Sequence, residues 1–433
     1  MNNATNRIKT LDGLRGLSII LVFLNHLGFG LFEGGYVGVD VFFVISGFVI
    51  TRSIRNHYGD PDFLSAFYER RIRRLLPSLI TTILVCYGIS QLFFDASDRL
   101  TINSSILPSA LGFSNLFFYK QAGYFDETSI EKPLLHTWSL SVEEQFYIAY
   151  ALLIFLLHKP VFKSHTKPAA ALRLILLLSA TASLLLSACV TNKHGSFSYF
   201  LIPTRFWEIG LGCLAFWYDW RLPARCSRIM PVLGLCLIFT GSVFFNSETP
   251  YPGIAAILPT AGTLFLILGQ SNEGSTINRI LSGRCLTFMG DISYALYLVH
   301  WPVIVFATAF FPGGLSLFAK FAIVCLSVFA ASMLTFRIEN PIRQKRFFGS
   351  RKSLFSFAAS GVGMVALLSF FTMHSTPKPV HKMSLIVEDS VLKSILPNSG
   401  GGGLIMEALN HRSLRRLAQA RMLTPLSGET AMR

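Results

Sequence analysis

The sequence predicts an all-α integral membrane protein, a polytopic helix bundle with a ten-span core and one additional transmembrane helix. Of its 433 residues, 52% are hydrophobic and only 14% are charged, and the mean hydropathy is +0.51. An ordinary soluble domain is less apolar and more charged. Apolar runs of about 18 to 25 residues also recur along the chain, and runs of this length can cross a bilayer as helices.

The predicted spans follow these apolar runs in chain order. They lie at residues 14–32, 36–54, 75–94, 138–157, 172–190, 199–218, 229–246, 252–269, 286–311, 317–336 and 354–373. The first run contains Arg15 and His26 and lacks the small-residue cleavage site of a signal peptide, so we interpret it as a retained span.

Residues 101–119 form an ambiguous run, because Asn103, Pro108, Gly112 and Asn115 interrupt it. If this run does not cross, the segments on the N-terminal side of the membrane carry 21 Lys and Arg and the opposite loops carry 4, whereas a crossing would change these counts to 10 and 15. Cytoplasmic loops are enriched in Lys and Arg. We therefore predict a cytoplasmic N-terminus, an extracytoplasmic C-terminus and a long external loop at 95–137.

The formal net charge of +15 could indicate nucleic-acid binding. The Lys and Arg residues, however, lie in short loops between apolar runs, where they set membrane orientation. We therefore expect membrane lipid and no nucleic acid as a partner. The seven cysteines lie in or beside apolar segments without the paired spacing of metal sites, so we predict packing residues and no metal.

The first span carries Arg15 and, eleven residues later, His26. Eleven residues of α-helix turn about 1100° and rise about 16 Å, so both side chains share one helical face at different depths. Ionisable groups inside a span are costly, by roughly 2.5 to 3.5 kcal/mol each, and usually functional. The spacing therefore predicts chemistry that extends across the membrane.

A cluster of four arginines follows the second span: Arg70, Arg71, Arg73 and Arg74. In a helix, residues three and four apart are neighbours, so this run would form a compact guanidinium cluster. Guanidinium groups bind phosphate groups well. The alternative is that these arginines only set the topology or contact anionic lipid.

A second layer of ionisable residues is predicted toward the extracytoplasmic side. It consists of His26, Asp40, Glu143, Glu144, Arg205, Glu208 and His300. Such groups facing each other in a low dielectric could form an acid/base site. Three alternatives stay open: Glu144 could complete a capping box with Ser141, Arg205 and Glu208 could only neutralise one another, and His300 could be an interior residue with a hydrogen bond.

Several sequence blocks resemble acyltransferase family 3, a family of membrane proteins, over roughly residues 8 to 345. The first is Lys9 to Leu17 followed by His26, which contains an arginine, ten residues and a histidine. Further blocks in the family's order are GGYVGVDVFFVISGFVIT (34–51), FYERRIRRLLP (67–77), PLLHTWSLSVEEQFY (133–147), GDISYALYLVHWP (290–302) and ENPIR (339–343).

This resemblance implies an enzyme of the bacterial inner membrane that transfers an acyl group, usually acetyl from acetyl-CoA, to a hydroxyl of an extracytoplasmic sugar. We expect an acceptor such as lipopolysaccharide O-antigen or exopolysaccharide, with peptidoglycan and small glycosides as open alternatives. The family's motifs correspond to Arg15 and His26, to Glu143 and Glu144, and to an R-x-x-R element at Arg71 and Arg74, with Arg70 and Arg73 as the alternative frame.

The mechanism we expect combines the two layers. The arginine cluster would bind the phosphates of acyl-CoA, Arg15 would help to position the donor, and the pantetheine arm would extend toward the outer layer. His26 would deprotonate the acceptor hydroxyl, with Glu143 orienting the imidazole. No serine or cysteine has a recognisable nucleophile setting, so we favour direct transfer or a loosely defined relay over an acyl-enzyme. Asp40, Arg205, Glu208 and His300 would help to bind the substrate.

We divide the chain into a membrane acyltransferase domain at 1–345, an additional transmembrane helix at 346–373 and an extracytoplasmic tail at 374–433. Some O-antigen O-acetylases continue from such a helix into an SGNH-type domain, but the tail has no Gly-Asp-Ser block, so a truncated fusion is one alternative. For the whole chain, the rival interpretation is a transporter or flippase of lipid-linked glycans, because intramembrane ionisable residues also mark transport paths. We find no internal repeat, a frequent transporter feature.

Overall fold

The computed structural model is α-helical and contains no β-strand in the part of the chain that it describes. It describes residues 8–55, 57, 60, 62–122, 132–157, 168–218, 223–270, 275–311 and 314–375. The chain divides into two units, Met1–Thr376 and Pro377–Arg433, and all described residues belong to the first. The predicted tail at 374–433 lies outside the described residues from 376 onward.

The described residues form eighteen α-helices, which we number in chain order. They are α1 (Lys9–His26), α2 (Gly38–Arg55), α3 (Phe63–Phe93), α4 (Ala96–Asn103), α5 (Ile106–Ala110), α6 (Ser114–Ala122), α7 (Thr137–Leu157), α8 (Pro168–Val190), α9 (Gly195–Phe200), α10 (Ile202–Trp217), α11 (Ala224–Phe244), α12 (Ile257–Leu268), α13 (Thr276–Leu281), α14 (Arg284–Asp291), α15 (Ser293–Phe310), α16 (Leu317–Met333), α17 (Asn340–Arg343) and α18 (Arg351–Ser375). Two 3₁₀ turns, Gly30–Phe32 and Gly35–Val37, join α1 to α2, and a π-helical segment, Leu334–Glu339, joins α16 to α17.

Eight helical segments in the described part of the chain are long and apolar enough to cross a membrane. They contain α2, α3, α7, α8, α11, α15, α16 and α18. The other three predicted spans correspond to α1, α10 and α12, which have 18, 16 and 12 residues. The prediction of an all-α polytopic membrane protein is therefore confirmed, including the additional helix at 354–373, which forms α18.

Several predicted boundaries differ from the structure, and two of the differences change the arrangement of the helices. The span predicted at 75–94 is the second part of α3, which begins at Phe63 and continues through Pro77, so the arginine cluster lies on the same helix as the span. The span predicted at 286–311 is divided at Ile292 into α14 and α15. Within the external loop predicted at 95–137, α4, α5 and α6 have 8, 5 and 9 residues, so the ambiguous run 101–119 is not one continuous helix.

The α14 helix is separate because it packs closely against α1. Added Cβ atoms at Gly13 and Gly16 of α1 would overlap the carbonyl oxygens of Leu281 and Leu286, and one at Gly290 of α14 would overlap the backbone of α1. Small residues let helix backbones approach closely in membrane proteins. These glycines therefore allow α13 and α14 to cover the half of α1 that carries Arg15.

The interior and the periphery of the bundle differ clearly in side-chain exposure. In α1 and α2, Ile19, Val22, Val44 and Ile45 are fully buried. In contrast, α8 and α16 expose large apolar side chains, including Leu178 at 61% and Phe318 at 80%. Exposed apolar surface of this kind fits contact with lipid, so α1 and α2 are central and α8 and α16 are peripheral.

Candidate active site

Helix α1 carries Arg15 and His26 without interruption. The two residues line different cavities, Arg15 the smaller one and His26 the larger one. Since eleven residues of α-helix rise about 16 Å, one central helix connects two separate chemical environments. The expectation that the two residues lie at different depths on one helix agrees with this geometry.

The smaller cavity lies among α1, α2, α3, α7 and α15 and has a volume of about 70 Å³. We call it the arginine cavity, because Arg15, Arg71 and Arg74 line it. Glu143 and Glu144 also line it. Three guanidinium groups around one space provide many hydrogen-bond donors in fixed planes, which suits an anionic ligand.

Glu143 is held inside the arginine cavity by two hydroxyl groups. Its Oε1 accepts a hydrogen bond of 3.0 Å from Ser46 Oγ, and its Oε2 accepts one of 2.7 Å from Tyr147 Oη. The Tyr147 ring lies 5.4 Å from the guanidinium carbon of Arg71. The expected contact between Glu143 and His26 is therefore not formed, because Glu143 lies six residues into α7 and both its oxygens bond within the other cavity.

The capping-box interpretation of Glu144 is wrong. Helix α7 begins at Thr137, so Ser141 lies inside the helix and cannot be its N-cap. Ser141 Oγ instead accepts a hydrogen bond of 3.1 Å from the backbone N–H of Ser114 and lies 2.8 Å from Ser114 Oγ. Glu144 therefore has no capping role and belongs to the lining of the arginine cavity.

The four clustered arginines all lie on α3 but have different environments. Arg71 and Arg74 line the arginine cavity, and Arg70 and Arg73 do not. Arg73 donates hydrogen bonds to Glu69 Oε1 at 3.1 Å and to the carbonyl oxygens of Ile342 and Phe348 at 3.0 and 2.8 Å. Arg73 thus holds the chain after α17 against α3.

For a phosphate site, the R-x-x-R frame at Arg71 and Arg74 is therefore the one that the geometry favours. Arg73 already uses its guanidinium for protein contacts, so the structure does not support the expectation that it binds a donor phosphate. Arg70 is different again, since its buried Nε and Nη2 atoms have no hydrogen-bond partner among the described residues. It lies beside the cavity lining rather than in it.

The larger cavity lies at the C-terminal end of α1 and has a volume of about 630 Å³. We call it the histidine cavity, because His26 lines it, together with Lys132, Tyr36, Tyr199 and Tyr251. Ligand sites typically have volumes of about 300 to 1,000 Å³. The histidine cavity is therefore large enough for a small molecule or for part of a polymer.

His26 is paired with a second imidazole. Its Nδ1 lies 2.9 Å from Nε2 of His300, which is 274 positions away in the sequence and fully buried. The edge of Trp301 also packs on His26, with ring centroids 4.7 Å apart. His300 was predicted to bind substrate, but in the structure it supports His26 from behind and does not line the histidine cavity.

His136 is a site residue that the sequence analysis did not single out. It is 3% exposed, and neither ring nitrogen has a hydrogen-bond partner among the described residues. Its ring lies 5.9 Å from that of His300 and 5.4 Å from that of Tyr297. Burial lowers the pKa of His136 well below its ordinary value, so the imidazole is neutral. The sequence feature that could have identified His136 is its position in the block PLLHTWSLSVEEQFY (133–147), which resembles the family.

Asp40, Arg205 and Glu208 form a buried ionic cluster of their own. Arg205 Nη1 donates to Asp40 Oδ1 at 2.9 Å and to Glu208 Oε1 at 3.0 Å, and Tyr251 donates to Asp40 Oδ2. None of the three charged residues lines the arginine or the histidine cavity. Tyr251 does line the histidine cavity, so the cluster supports the wall of that cavity. The predicted direct contacts of Asp40, Arg205 and Glu208 with the substrate are not formed in this structure.

Tyr297 lies between the lining of the arginine cavity and the histidine pair. It lines the arginine cavity, and its ring lies 5.5 Å from the ring of His300, the partner of His26. Its hydroxyl donates to the carbonyl oxygen of His136 at 3.0 Å and lies 2.7 Å from Ser139 Oγ.

Among the described residues, no group of three or more His, Cys, Asp and Glu side chains could hold a metal ion. All seven cysteines are free thiols, and Cys86 and Cys213 are buried. Neither of these two lines the arginine or the histidine cavity.

Comparisons with known proteins find similarity over most of the chain. A family model described as "Acyltransferase domain" matches residues 8–337. The chain is 32% identical over 357 residues to the O-acetyltransferase OatA of Staphylococcus aureus, covering 78% of this chain and 57% of that protein. It is 30% identical over 398 residues to the peptidoglycan O-acetyltransferase OatA of Listeria monocytogenes, covering 84% and 62%.

The protein YrhL of Bacillus subtilis is also similar, with 32% identity over 359 residues, 78% of this chain and 55% of that protein. The chain thus spans somewhat more than half the length of these relatives. A comparison with solved structures finds no significant match. The family match covers more than half of the chain and contains Arg15, His26, the arginine cluster, Glu143 and His300. The chain therefore belongs to acyltransferase family 3, the family that its sequence blocks resemble.

Proposed function

We propose that the protein is a membrane-bound O-acyltransferase that moves an acyl group, acetyl from cytoplasmic acetyl-CoA, to a hydroxyl of an extracytoplasmic glycan. The observation that carries this proposal is the placement of two cavities along one helix. Arg15 lies in a cavity rich in guanidinium groups, and His26 lies in a larger cavity about 16 Å further along α1. The family and its O-acetyltransferase relatives support the same reaction class.

On the donor side, the phosphates of the acyl-CoA contact Arg71 and Arg74. The nucleotide stays at the cytoplasmic end of the arginine cavity beside Arg71 and Arg74, and the pantetheine arm with its thioester extends into the cavity. Arg15 and the carboxylate of Glu143 lie along this path and orient the arm. The 16 Å rise from Arg15 to His26 is comparable to the length of that arm.

On the acceptor side, the histidine cavity binds the glycan. Sugars present hydroxyl groups and apolar ring faces, and this cavity offers matching polar groups and aromatic rings at Tyr36, Tyr199 and Tyr251. Lys132 adds a cation at the same wall. His26 lies at the end of the cavity that is closest to the donor path, so it can contact the reacting hydroxyl.

The transfer step uses His26 as a general base. The imidazole takes the proton of the acceptor hydroxyl while the oxygen attacks the thioester carbon, and the resulting tetrahedral intermediate expels the thiolate of CoA. The imidazolium then returns the proton to that thiolate, giving the ester and free CoA. His26 is thereby restored, and no other reactant is needed.

The acceptor is a cell-surface polysaccharide. The sequence blocks predict an acceptor such as lipopolysaccharide O-antigen or exopolysaccharide, whereas the Listeria relative is named as a peptidoglycan O-acetyltransferase, so peptidoglycan belongs to the same test. We place the protein in the bacterial inner membrane, with the arginine cavity toward the cytoplasm and the histidine cavity toward the periplasm or cell exterior. This orientation matches each cavity with the compartment of its substrate.

The test is an assay in proteoliposomes with acetyl-labelled acetyl-CoA and, in separate reactions, O-antigen, exopolysaccharide and peptidoglycan fragments. Label that becomes attached to a glycan as a base-labile ester supports the proposal and identifies the acceptor class. Movement of intact glycan across the bilayer without label would instead support the rival transporter. Proteoliposomes without the protein serve as the control for non-enzymatic acetylation.

A further inference from the structure

His300 has one ring nitrogen between two backbone carbonyl groups. Its Nδ1 lies 3.0 Å from the oxygen of Leu296 and 2.8 Å from the oxygen of Tyr297, both in the preceding turn of α15. A carbonyl oxygen is only an acceptor, so a favourable contact requires that Nδ1 carry the hydrogen. A bare Nδ1 would set three lone pairs against each other in a fully buried site.

The tautomer of His300 then determines the tautomer of His26. With its hydrogen on Nδ1, neutral His300 has a bare Nε2, which can only accept. The Nδ1 of His26, at 2.9 Å, must therefore donate. Neutral His26 consequently carries its hydrogen on Nδ1 and keeps a lone pair on Nε2. The structure gives Nε2 of His26 no hydrogen bond within the described residues, and His26 lines the histidine cavity.

We propose that His300 is a positioning residue that holds His26 in the tautomer whose Nε2 is ready to accept a proton from the acceptor hydroxyl. The inference rests on the function proposed above and assigns to His300 the task that a carboxylate performs in a Ser-His-Asp triad. Here the orienting acceptor is a neutral imidazole, fixed in turn by the backbone of α15.

The surroundings of the pair fit this task. Phe23 packs edge-on against His300 at 5.4 Å between ring centroids, and Trp301 packs against His26 at 4.7 Å. These apolar contacts restrict both rings without competing for their nitrogen atoms. The two imidazole planes differ by only 5°, so the in-plane lone pair of His300 Nε2 can point toward His26 Nδ1.

The same arrangement stabilises the charge that forms during transfer. When His26 Nε2 takes the proton from the acceptor, its Nδ1–H becomes a stronger donor to His300 Nε2. The proton on Nδ1 can shift toward His300, whose own Nδ1–H then donates a charge-assisted hydrogen bond to the two carbonyl groups. The positive charge is thus shared between two rings, and no proton leaves the pair until it returns to the CoA thiolate.

The test compares two substitutions that each preserve one half of the His300 contacts. In His300→Gln, the amide can reach the position of Nε2 and still accept from His26, but the contacts to the carbonyl groups are lost. In His300→Asn, the shorter amide can donate to those carbonyl groups but cannot reach His26. His374→Asn is the control, since the Nδ1 of this exposed histidine also lies near a backbone carbonyl oxygen, that of Phe370 at 2.9 Å, and His374 lines neither cavity.

We expect kcat for acetyl transfer to fall by roughly 10²- to 10⁴-fold in His300→Asn, as when a triad base has the wrong tautomer. His300→Gln should stay within about tenfold of wild type, since its acceptor keeps most of the orientation. The KM for acetyl-CoA should be unchanged in both, and His374→Asn should retain wild-type transfer. Equal losses in the two His300 variants, or a larger loss in His300→Gln, would overturn the proposal.

A second measurement needs no substitution. In the wild-type protein with ¹⁵N-labelled histidine, nitrogen chemical shifts distinguish a protonated from a bare ring nitrogen. We expect His26 to show a protonated Nδ1 and a bare Nε2, and the opposite tautomer would overturn the proposal. If instead His26→Ala retained full transfer, the proposed function of His26 itself would be wrong, whatever the tautomer.

Discussion

The Tyr297 ring lies 5.5 Å from the His300 ring while it also lines the arginine cavity. This single aromatic ring thus contacts the space assigned to the donor and the residue that orients the base. In the proposed reaction, this ring would lie between the thioester and the acceptor cavity and would limit the access of water to the thioester. Water exclusion by such a layer favours transfer over hydrolysis.

We predict that Tyr297→Ala uncouples the reaction. With the ring removed, water reaches the thioester, so release of free CoA should increase relative to acetylated glycan. Tyr297→Phe keeps the ring and loses only the hydroxyl contacts to His136 and Ser139, so its ratio of CoA release to transfer should stay close to that of wild type. The measurement is the ratio of free thiol to glycan-bound label, and an unchanged ratio in Tyr297→Ala would contradict this role.

Arg71 and Arg74 should determine the affinity for the donor. Charge-assisted hydrogen bonds contribute about 1.5 to 3 kcal/mol each, so Arg71→Gln and Arg74→Gln should each raise the KM for acetyl-CoA by roughly ten- to a hundredfold. Arg55, at the end of α2, packs against Phe216 and Trp217 and does not line the cavity. Arg55→Gln is the charge-matched control and should leave this KM unchanged. Similar KM values in all three variants would place the donor phosphates elsewhere.

Arg73 should affect stability rather than donor binding. Its removal leaves the carbonyl oxygens of Ile342 and Phe348 without their buried donor, whereas Glu69 keeps its contacts with Lys345 and Arg351. Arg73→Ala should therefore lower the free energy of unfolding by about 1 to 3 kcal/mol for each carbonyl group left without a donor. The control is Arg343→Ala, because the Arg343 side chain is 59% exposed. Thermal unfolding in detergent measures the difference in stability. Equal stability of the two variants would contradict the stabilising role of the contacts between Arg73 and the backbone near α17.

In the ionic cluster of Asp40, Arg205 and Glu208, loss of the arginine should reduce stability much more than loss of one carboxylate charge. Arg205→Met leaves the carboxyl groups of Asp40 and Glu208 buried without their shared partner, so it should cost about 3 to 5 kcal/mol of folding stability. Glu208→Gln keeps an amide oxygen that can accept from Arg205, and the Oε2 of Glu208 has no hydrogen-bond partner among the described residues. This variant should remain close to wild type in thermal unfolding. A loss as large as that of Arg205→Met would show that the negative charge of Glu208 is essential.

Much of the fold and one half of the candidate site could be predicted from local patterns. The apolar runs predict the helices, and the spacing of Arg15 and His26 gives their positions on one helix, because helical geometry depends only on sequence separation. The proximity of Arg71 and Arg74 follows from the same rule.

The remaining contacts depend on information that local patterns do not contain. His26 and His300 are 274 positions apart, so only the packing of α1 against α15 brings them together. Arg73 binds backbone carbonyl groups near Ile342, and every residue has such a group, so side-chain type gives no signal. The depth of Glu143 depends on the residue at which α7 begins. The predicted pairing of Glu143 with His26 was wrong because the sequence did not indicate that α7 begins at Thr137.

The central claim is that an acyl donor on the arginine side reacts with an acceptor on the histidine side. The most direct measurement uses sealed, oriented proteoliposomes with acetyl-labelled acetyl-CoA on the side of the arginine cavity and a glycan acceptor only on the opposite side. We predict that label appears on the glycan with wild-type protein and is lost with His26→Ala, although this variant still binds acetyl-CoA. Near wild-type labelling by His26→Ala, or labelling only when donor and acceptor share one side, would contradict the account.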